Sequence, residues 1–103
     1  LDSALTTVSE EKIDVVDKFM LFQNYPNPFN NSTNIQYSVP AANNITIDIY
    51  DILGKKVTTI YRGWTESGLH SMQVMFDNVA SGNYIYVARI GGETHSKKLI
   101  YIK

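Results

Sequence analysis

The sequence predicts an all-β fold, an Ig-like antiparallel β-sandwich of two sheets and about seven strands. Three observations indicate this fold. Apolar and polar residues alternate in short runs, turn-forming residues separate the runs, and no convincing helical pattern lies between them. The term Ig-like describes architecture alone, because the chain has no cysteine for the intersheet disulfide of antibody domains. We expect the single tryptophan, Trp64, to lie in a glycine-flanked loop.

Strict alternation predicts three half-buried strands. Ile45, Ile47 and Ile49 alternate with polar residues, which in a pleated strand places all three side chains on one buried face. The same period predicts two further strands, one through Ile35, Tyr37 and Val39 and one through Met72, Val74 and Phe76.

Turn residues predict two hairpins. Residues 51–54 form the first loop, in which Gly54 takes a left-handed conformation, and the chain then returns from Lys55 to Tyr61. Residues 84–90 are apolar on both faces for most of their length, which predicts a central strand covered on both sides and the most buried run of the fold. Gly91-Gly92 supplies two residues with positive φ for the second turn, before a last strand from Thr94 to Lys103.

Residues 1–18 differ from the rest of the chain, because they contain no glycine, proline or aromatic residue and are crowded with charges after position 9. We interpret them as a linker from a missing upstream passenger, and residues 19–103 as one β-sandwich domain. The start of the chain, without an initiator methionine or a signal region, favours a piece of a longer protein. The competing interpretation is a short helix with Ser9 as N-cap and Ile13, Val16 and Met20 on one face.

Composition argues against several classes of function. The formal net charge is -1 and most Lys and Arg residues are scattered, which argues against nucleic acid or an anionic membrane surface as the main partner. The absence of cysteine removes any thiolate zinc site and any cysteine nucleophile. No apolar run approaches the roughly 20 residues that a membrane-spanning helix needs.

No catalytic, cofactor-binding or metal site is predicted, and we expect the domain not to be an enzyme. His70 and His95 are the only histidines, and neither stands at the spacing of a zinc site. No Gly-x-Ser-x-Gly elbow is present. The acidic and amide residues outside the linker lack the repeat of a calcium loop, and turn chemistry accounts better for Asp48, Asp51, Asp77 and Asn78.

Residues 24–30, Asn-Tyr-Pro-Asn-Pro-Phe-Asn, do not have the pattern of an ordinary loop. The two prolines fix φ and bias the preceding residues toward extended geometry, which predicts a stiff, turned segment. We expect Tyr25 and Phe29 to be its apolar anchors, and the asparagine side chains to bond back to the local backbone. Two interpretations stay open, a plug that closes one end of the sandwich and a recognition feature.

This segment, preceded by Leu21-Phe22-Gln23 and followed by Ser32-Thr33, resembles the opening of the type A C-terminal sorting domain of the Bacteroidetes type IX secretion system. Three further blocks are similar in order. They are Ile47-Asp48-Ile49-Tyr50-Asp51 with Gly54 and Val57, Gly68-Leu69-His70, and Ser81-Gly82-Asn83-Tyr84-Ile85-Tyr86 ahead of Lys97-Lys98-Leu99-Ile100. Asn31 and Asn83 depart from the family pattern, at positions that bear on stability more than on identity.

The resemblance implies a secretion signal that carries a covalently linked upstream passenger across the outer membrane. The implied partners are the outer-membrane translocon and a sortase-like peptidase that removes the domain at a cleavage point that residues 1–18 contain or follow. The implied route is the periplasm in transit, followed by the cell surface or the extracellular medium. The implied sorting or recognition residues are Asn24, Tyr25, Pro26, Asn27, Pro28, Phe29, Asn30, Gly82, Tyr84, Lys97, Lys98, Leu99 and Ile100.

Two functions of other classes compete with sorting. One is a non-catalytic accessory module that binds carbohydrate or protein in a secreted protein, and the other is an Ig-like structural piece of an extracellular assembly. In the last strand we expect Leu99 and Tyr101 on one face and Ile100 and Ile102 on the other, so that one set packs inward. The lysines at that end either guard an edge strand against aggregation or are read by a partner.

Removal of residues 1–18 tests the division into linker and domain. Because the core-forming pattern begins after them, the shortened chain should keep its free energy of unfolding, measured by urea denaturation. A loss of more than about 2 kcal/mol would show that these residues pack as an element of the fold.

Overall fold

The computed structural model describes residues 17–103. Over this range the chain forms seven strands, and all of the pairings between them are antiparallel. They are β1 (Met20–Leu21), β2 (Ser32–Val39), β3 (Asn43–Asp51), β4 (Lys56–Thr65), β5 (Gly68–Met75), β6 (Gly82–Ile90) and β7 (Glu93–Tyr101). The predicted all-β sandwich of about seven strands is confirmed.

The strands form a three-stranded sheet in the order β1-β2-β5 and a four-stranded sheet in the order β4-β3-β6-β7. The alternative helix near the N-terminus falls mainly on Ser9, Ile13 and Val16, which lie outside the described residues. Met20, the last member of that predicted face, lies in β1 and pairs with Ser38 of β2.

The predicted core faces are confirmed. Ile45, Ile47 and Ile49 of β3 are 1%, 0% and 0% exposed, and they pack with the buried face of β2. That face consists of Ile35, Tyr37 and Val39. Period-two alternation was sufficient to identify both faces, because each sheet has one side against the core.

The predicted coverage of β6 on both sides is wrong. This strand lies between β3 and β7 and is central, as expected, and its inward side chains Tyr84, Tyr86 and Ala88 are buried. Ile85 and Val87 face the other way and are half-buried, because no further layer of residues 17–103 covers the outer face of the four-stranded sheet.

Two element boundaries also differ from expectation. Trp64 lies in β4 rather than in a loop, because the strand continues past Gly63 and pairs Trp64 with Asn44. Its side chain is 59% exposed. Phe76 lies just beyond the end of β5, although its side chain remains in the core.

The turn predictions are confirmed in part. Gly54 takes φ +86°, and the Asp51 carboxylate accepts hydrogen bonds from the N–H groups of Leu53 and Lys55. In the second hairpin Gly91 alone has positive φ, at +57°, which is the pattern of a type II′ turn.

The assignment of Asp48 to a turn is wrong. Asp48 lies within β3 and its side chain is only 5% exposed. The Arg89 guanidinium donates to its carboxylate at 3.0 Å, and the Thr59 hydroxyl donates to it at 2.5 Å. These partners come from the flanking strands β6 and β4, so a pattern of neighbours along the chain did not reveal them.

Truncation of two apolar residues tests this account of the core. Ile47→Ala should lower the free energy of unfolding by about 2 to 5 kcal/mol, because its side chain is fully buried. Val87→Ala on the outer face should cost about 1 kcal/mol, since its side chain is half-buried. Urea denaturation measures both values, and equal losses would contradict the one-sided burial of β6.

Candidate functional site

Residues 24–30, here called the proline segment, connect the two sheets. The backbone of Tyr25 exchanges two hydrogen bonds with Asn34 of β2, at 3.0 and 2.9 Å. The backbone of Phe29 bonds to β7, which belongs to the opposite sheet: its N–H donates to the Ile100 carbonyl at 3.1 Å and its carbonyl accepts from Ile102 N–H at 2.8 Å. The segment therefore spans the open side of the sandwich between β2 and β7.

Asn24 holds the start of the proline segment in place. Its side chain is 2% exposed and donates to the Thr33 hydroxyl at 3.0 Å and to the Pro26 carbonyl at 3.2 Å. The Thr33 hydroxyl donates in turn to the Pro26 carbonyl at 2.8 Å. The expected bond of an asparagine side chain to the local backbone is confirmed here. Because the Asn24 amide group has hydrogen-bond partners, its removal from water costs little free energy.

Asn27 acts at longer range than expected. Its side-chain oxygen accepts a hydrogen bond from the N–H of Ile100 at 2.9 Å, in place of a bond to its own turn. The Gln23 side chain reaches the same strand and donates to the Lys98 carbonyl at 2.7 Å. Together with the Phe29 bonds, these contacts occupy the free edge of β7 from Lys98 to Ile102.

Phe29 is the apolar anchor of the proline segment, as predicted. Its side chain is 3% exposed, and its ring lies 5.2 Å from that of Phe76 and 5.3 Å from that of Tyr101. Phe76 also contacts Tyr84 edge-on at 5.3 Å. Four aromatic rings thus close one end of the sandwich, and edge-to-face contacts of this kind stabilise it beyond their burial.

The prediction that Tyr25 is a second anchor is wrong, since its side chain is 78% exposed. Its backbone is fixed by Asn34, and that pairing directs the ring to solvent. Pro26, Asn27, Pro28 and Asn30 are exposed as well. Folding uses the backbone of this part of the segment and leaves the Tyr25 ring available.

Gly82 and Tyr84, at the start of β6, pair with the last residues of β7 at the aromatic end of the sandwich. Gly82 begins β6 with φ +156° and pairs with Tyr101, while Tyr84 pairs with Leu99. The Tyr84 hydroxyl donates to the Ala80 carbonyl at 2.5 Å. Burial, reinforced by the nearby Asp51 and Tyr101, raises the pKa of Tyr84 above its ordinary value, so this hydroxyl stays neutral.

The two faces of β7 divide as predicted. Leu99 and Tyr101 are buried at 0% and 5%, and Ile102 on the other face is 51% exposed. Lys97 and Lys98 are both exposed and, as neighbours in a strand, project to opposite sides. β7 is an edge strand of its sheet, paired only with β6.

Gln23 and Thr33 were predicted only as flanks of the proline segment, and Tyr101 only as a member of one face of the last strand. Tyr86 was not predicted at this site. The Tyr86 hydroxyl donates to the Phe22 carbonyl at 2.6 Å, and burial raises the pKa of Tyr86 to about 12. The signal for Gln23 and Thr33 was their position beside the proline segment. Their partners lie across the sandwich, which local sequence does not show.

Within residues 17–103, no three His, Asp or Glu side chains come close enough together to hold a metal ion. Over the same described range, no helix has the length and apolarity needed to cross a membrane. The site that the structure assembles consists of peptide groups, exposed side chains and buried aromatic supports.

Comparison with known proteins agrees with this architecture. The chain is similar to part of one solved structure, the crystal structure of dimeric latent PorU from Porphyromonas gingivalis, with a TM-score of 0.66 and 17% sequence identity. The match covers 90% of this chain and 10% of that chain, and at this identity it shows the fold alone. No curated protein sequence matched.

The sequence model of one family, the secretion system C-terminal sorting domain, matches residues 23–103. That range includes the proline segment, all of β2 to β7 and the aromatic end of the sandwich. Domains of this family are secretion signals of the type IX system and are not themselves catalytic. This chain belongs to the family of type IX secretion C-terminal sorting domains, and it directs a passenger protein out of the cell.

Proposed function

We propose that the type IX translocon recognises this domain through one composite surface, formed by the proline segment and β7. The observation that carries the proposal is the set of hydrogen bonds by which Gln23, Asn27 and Phe29 occupy the edge of β7 from Lys98 to Ile102. These contacts bring together parts of the chain that are 73 residues apart at the Asn27–Ile100 bond. A partner that binds one part therefore meets the other.

The exposed side chains of this surface support a role in recognition. Tyr25 and Ile102 are 78% and 51% exposed, and the lysines in or just after β7, Lys97, Lys98 and Lys103, are exposed as well. Large apolar side chains that folding leaves in solvent, surrounded by a polar rim, are characteristic of a protein-binding patch.

The covered edge restricts how a partner can bind. Strand addition needs unpaired N–H and C=O groups, and between Lys98 and Ile102 these groups already have partners. We therefore assign recognition in this stretch to side chains rather than to backbone pairing. The competing explanation, that Lys97 and Lys98 only guard the upstream part of the edge, requires no partner.

The proposed path follows from the position of the domain behind a linker. The passenger, covalently joined upstream of residue 19, crosses the periplasm with the folded domain and reaches the cell surface or the medium. A sortase-like peptidase of the system then cuts at or near residues 1–18. Cleavage there would separate passenger and domain without breaking any strand of the described fold.

Export of a reporter tests the proposal. A reporter with an N-terminal signal peptide, fused to residues 1–103 in a type IX-competent host, should reach the surface or the medium. Exchange of Lys97, Lys98 and Lys103 for glutamate should leave it in the periplasm, because the charge of the recognition surface is reversed. The Tyr25→Ser variant should also reduce export, since the ring contributes to binding and not to the core.

The matched control is exchange of Lys55, Lys56 and Arg62 for glutamate, which reverses the same number of charges at and before β4. Circular dichroism and urea denaturation establish that each purified variant is folded. Normal export of the folded Lys97, Lys98 and Lys103 variant would reduce these lysines to edge guards. Retention of the intact fusion in the periplasm would contradict the sorting role itself.

A further inference from the structure

The edge strands of the sandwich are protected to very different degrees. A free edge recruits another strand unless charges, register shifts, short length or a covering segment prevent it. β7 has Lys97, Lys98 and the proline segment, β4 has Lys56, Arg62 and two register shifts against β3, and β1 is two residues long. β5, the remaining edge, has none of these protections.

β5 is a regular and uncharged strand. Its sequence, Gly68 to Met75, contains no Lys, Arg, Asp, Glu or Pro, and it pairs with β2 over eight residues without a register shift. Leu69 and Met75 are 65% and 66% exposed on its outer face. An edge of this kind is a favourable template for strand pairing.

The hydrogen bonds around β2 show which groups of β5 point to the free edge. Phe76 N–H donates to the Asn31 carbonyl, one step beyond the Ser32–Met75 pair. Because bonded pairs alternate along an antiparallel ladder, the even-numbered residues of β5 bond to β2. On its other side β2 uses even-numbered residues, since Asn34 bonds to Tyr25. The odd-numbered residues of β2 therefore face β5, and the register pairs them with the even-numbered residues of β5.

The odd-numbered residues Leu69, Ser71, Gln73 and Met75 therefore turn their backbone N–H and C=O groups to the free edge. Within residues 17–103, no hydrogen bond from outside β5 reaches these backbone groups. We propose that β5 pairs with β5 of a second copy of this chain, antiparallel, about a two-fold axis that passes beside Met72.

The residue pattern of β5 is self-complementary in this register. Leu69 lies opposite Met75 of the second copy and Ser71 lies opposite Gln73, so apolar side chains meet apolar ones and polar side chains meet polar ones. All of these residues have edge-directed backbone groups, so each pair can exchange two hydrogen bonds. Symmetry then repeats every pair, as a two-fold interface requires.

Other registers fit less well. A register centred on Ser71 would place Leu69 opposite Gln73, and one centred on Gln73 would place Ser71 opposite Met75.

A second copy is favoured over an unrelated strand because a partner of different sequence has no need of a pattern that is symmetric about Met72. The absence of charge also means that no like charges face each other across the axis.

Sedimentation equilibrium of the whole 103-residue chain tests the proposal. A strand-edge interface is small, so we expect a weak dimer, with the average mass rising from 11.6 kDa toward twice that value as the protein approaches about 1 mM. Ser71→Lys should abolish the rise, because the two new lysines would lie diagonally across the axis. Gln73→Glu should do the same with two carboxylates.

A mixture of the two variants should recover the dimer, because in this register the new lysine of one chain lies opposite the new glutamate of the other. Gln36→Lys is the matched control, since Gln36 is exposed on β2 and pairs directly with Ser71 but lies one strand away from the edge. It should dimerise like the unchanged chain. A chain that stays monomeric throughout, a Ser71→Lys variant that still dimerises, or a mixture that stays monomeric would each overturn the proposal.

Discussion

The hydrogen bonds between the proline segment and the free edge of β7 are the contacts on which the closure of the aromatic end of the sandwich most depends. They join the β1-β2-β5 sheet, through the Tyr25–Asn34 pairing, to the β4-β3-β6-β7 sheet, through Asn27 and Phe29. Apart from the bond of the Tyr86 hydroxyl to the Phe22 carbonyl, the contact between the sheets is mainly apolar packing, which has little directional preference. Directional bonds at one end therefore fix how the sheets sit relative to each other.

This arrangement explains why an exposed loop contains so many constrained residues. The prolines limit the conformations of the unfolded segment, and the buried Asn24 side chain fixes its start through Thr33 and Pro26. Phe29 then enters the aromatic end of the core beside Phe76 and Tyr101. The same geometry leaves the Tyr25 ring in solvent, so one segment both stabilises the fold and keeps a large side chain exposed.

Local sequence patterns predicted the parts of the fold that local physics determines. The alternation of Ile45, Ile47 and Ile49 has only one interpretation in a sheet with a single core face, and Gly54 accepts the positive φ of its turn without strain. The alternation could not show which strands become neighbours. Asp48 meets Arg89, which is 41 residues away, so its chemistry was predicted as that of a turn.

The candidate site was predictable in its residues and not in its contacts. The proline segment and the last strand were both singled out, yet nothing near Asn27 in the sequence indicates that its side chain accepts a bond from Ile100. Tyr25 was predicted to anchor the segment because its ring is large and apolar, and the pairing of its backbone with Asn34 prevented that. Side-chain direction in such segments follows from long-range backbone pairing.

Amide hydrogen exchange of the Asn27→Ala variant tests the central claim most directly. Loss of the acceptor should accelerate exchange at the Ile100 N–H by about tenfold, while the Leu99 and Ile49 amides exchange as before, because those groups bond within the four-stranded sheet. Unchanged exchange at Ile100 would contradict the claim that Asn27 holds this edge. Equal acceleration at all three amides would show a general loss of stability in place of a local release of β7.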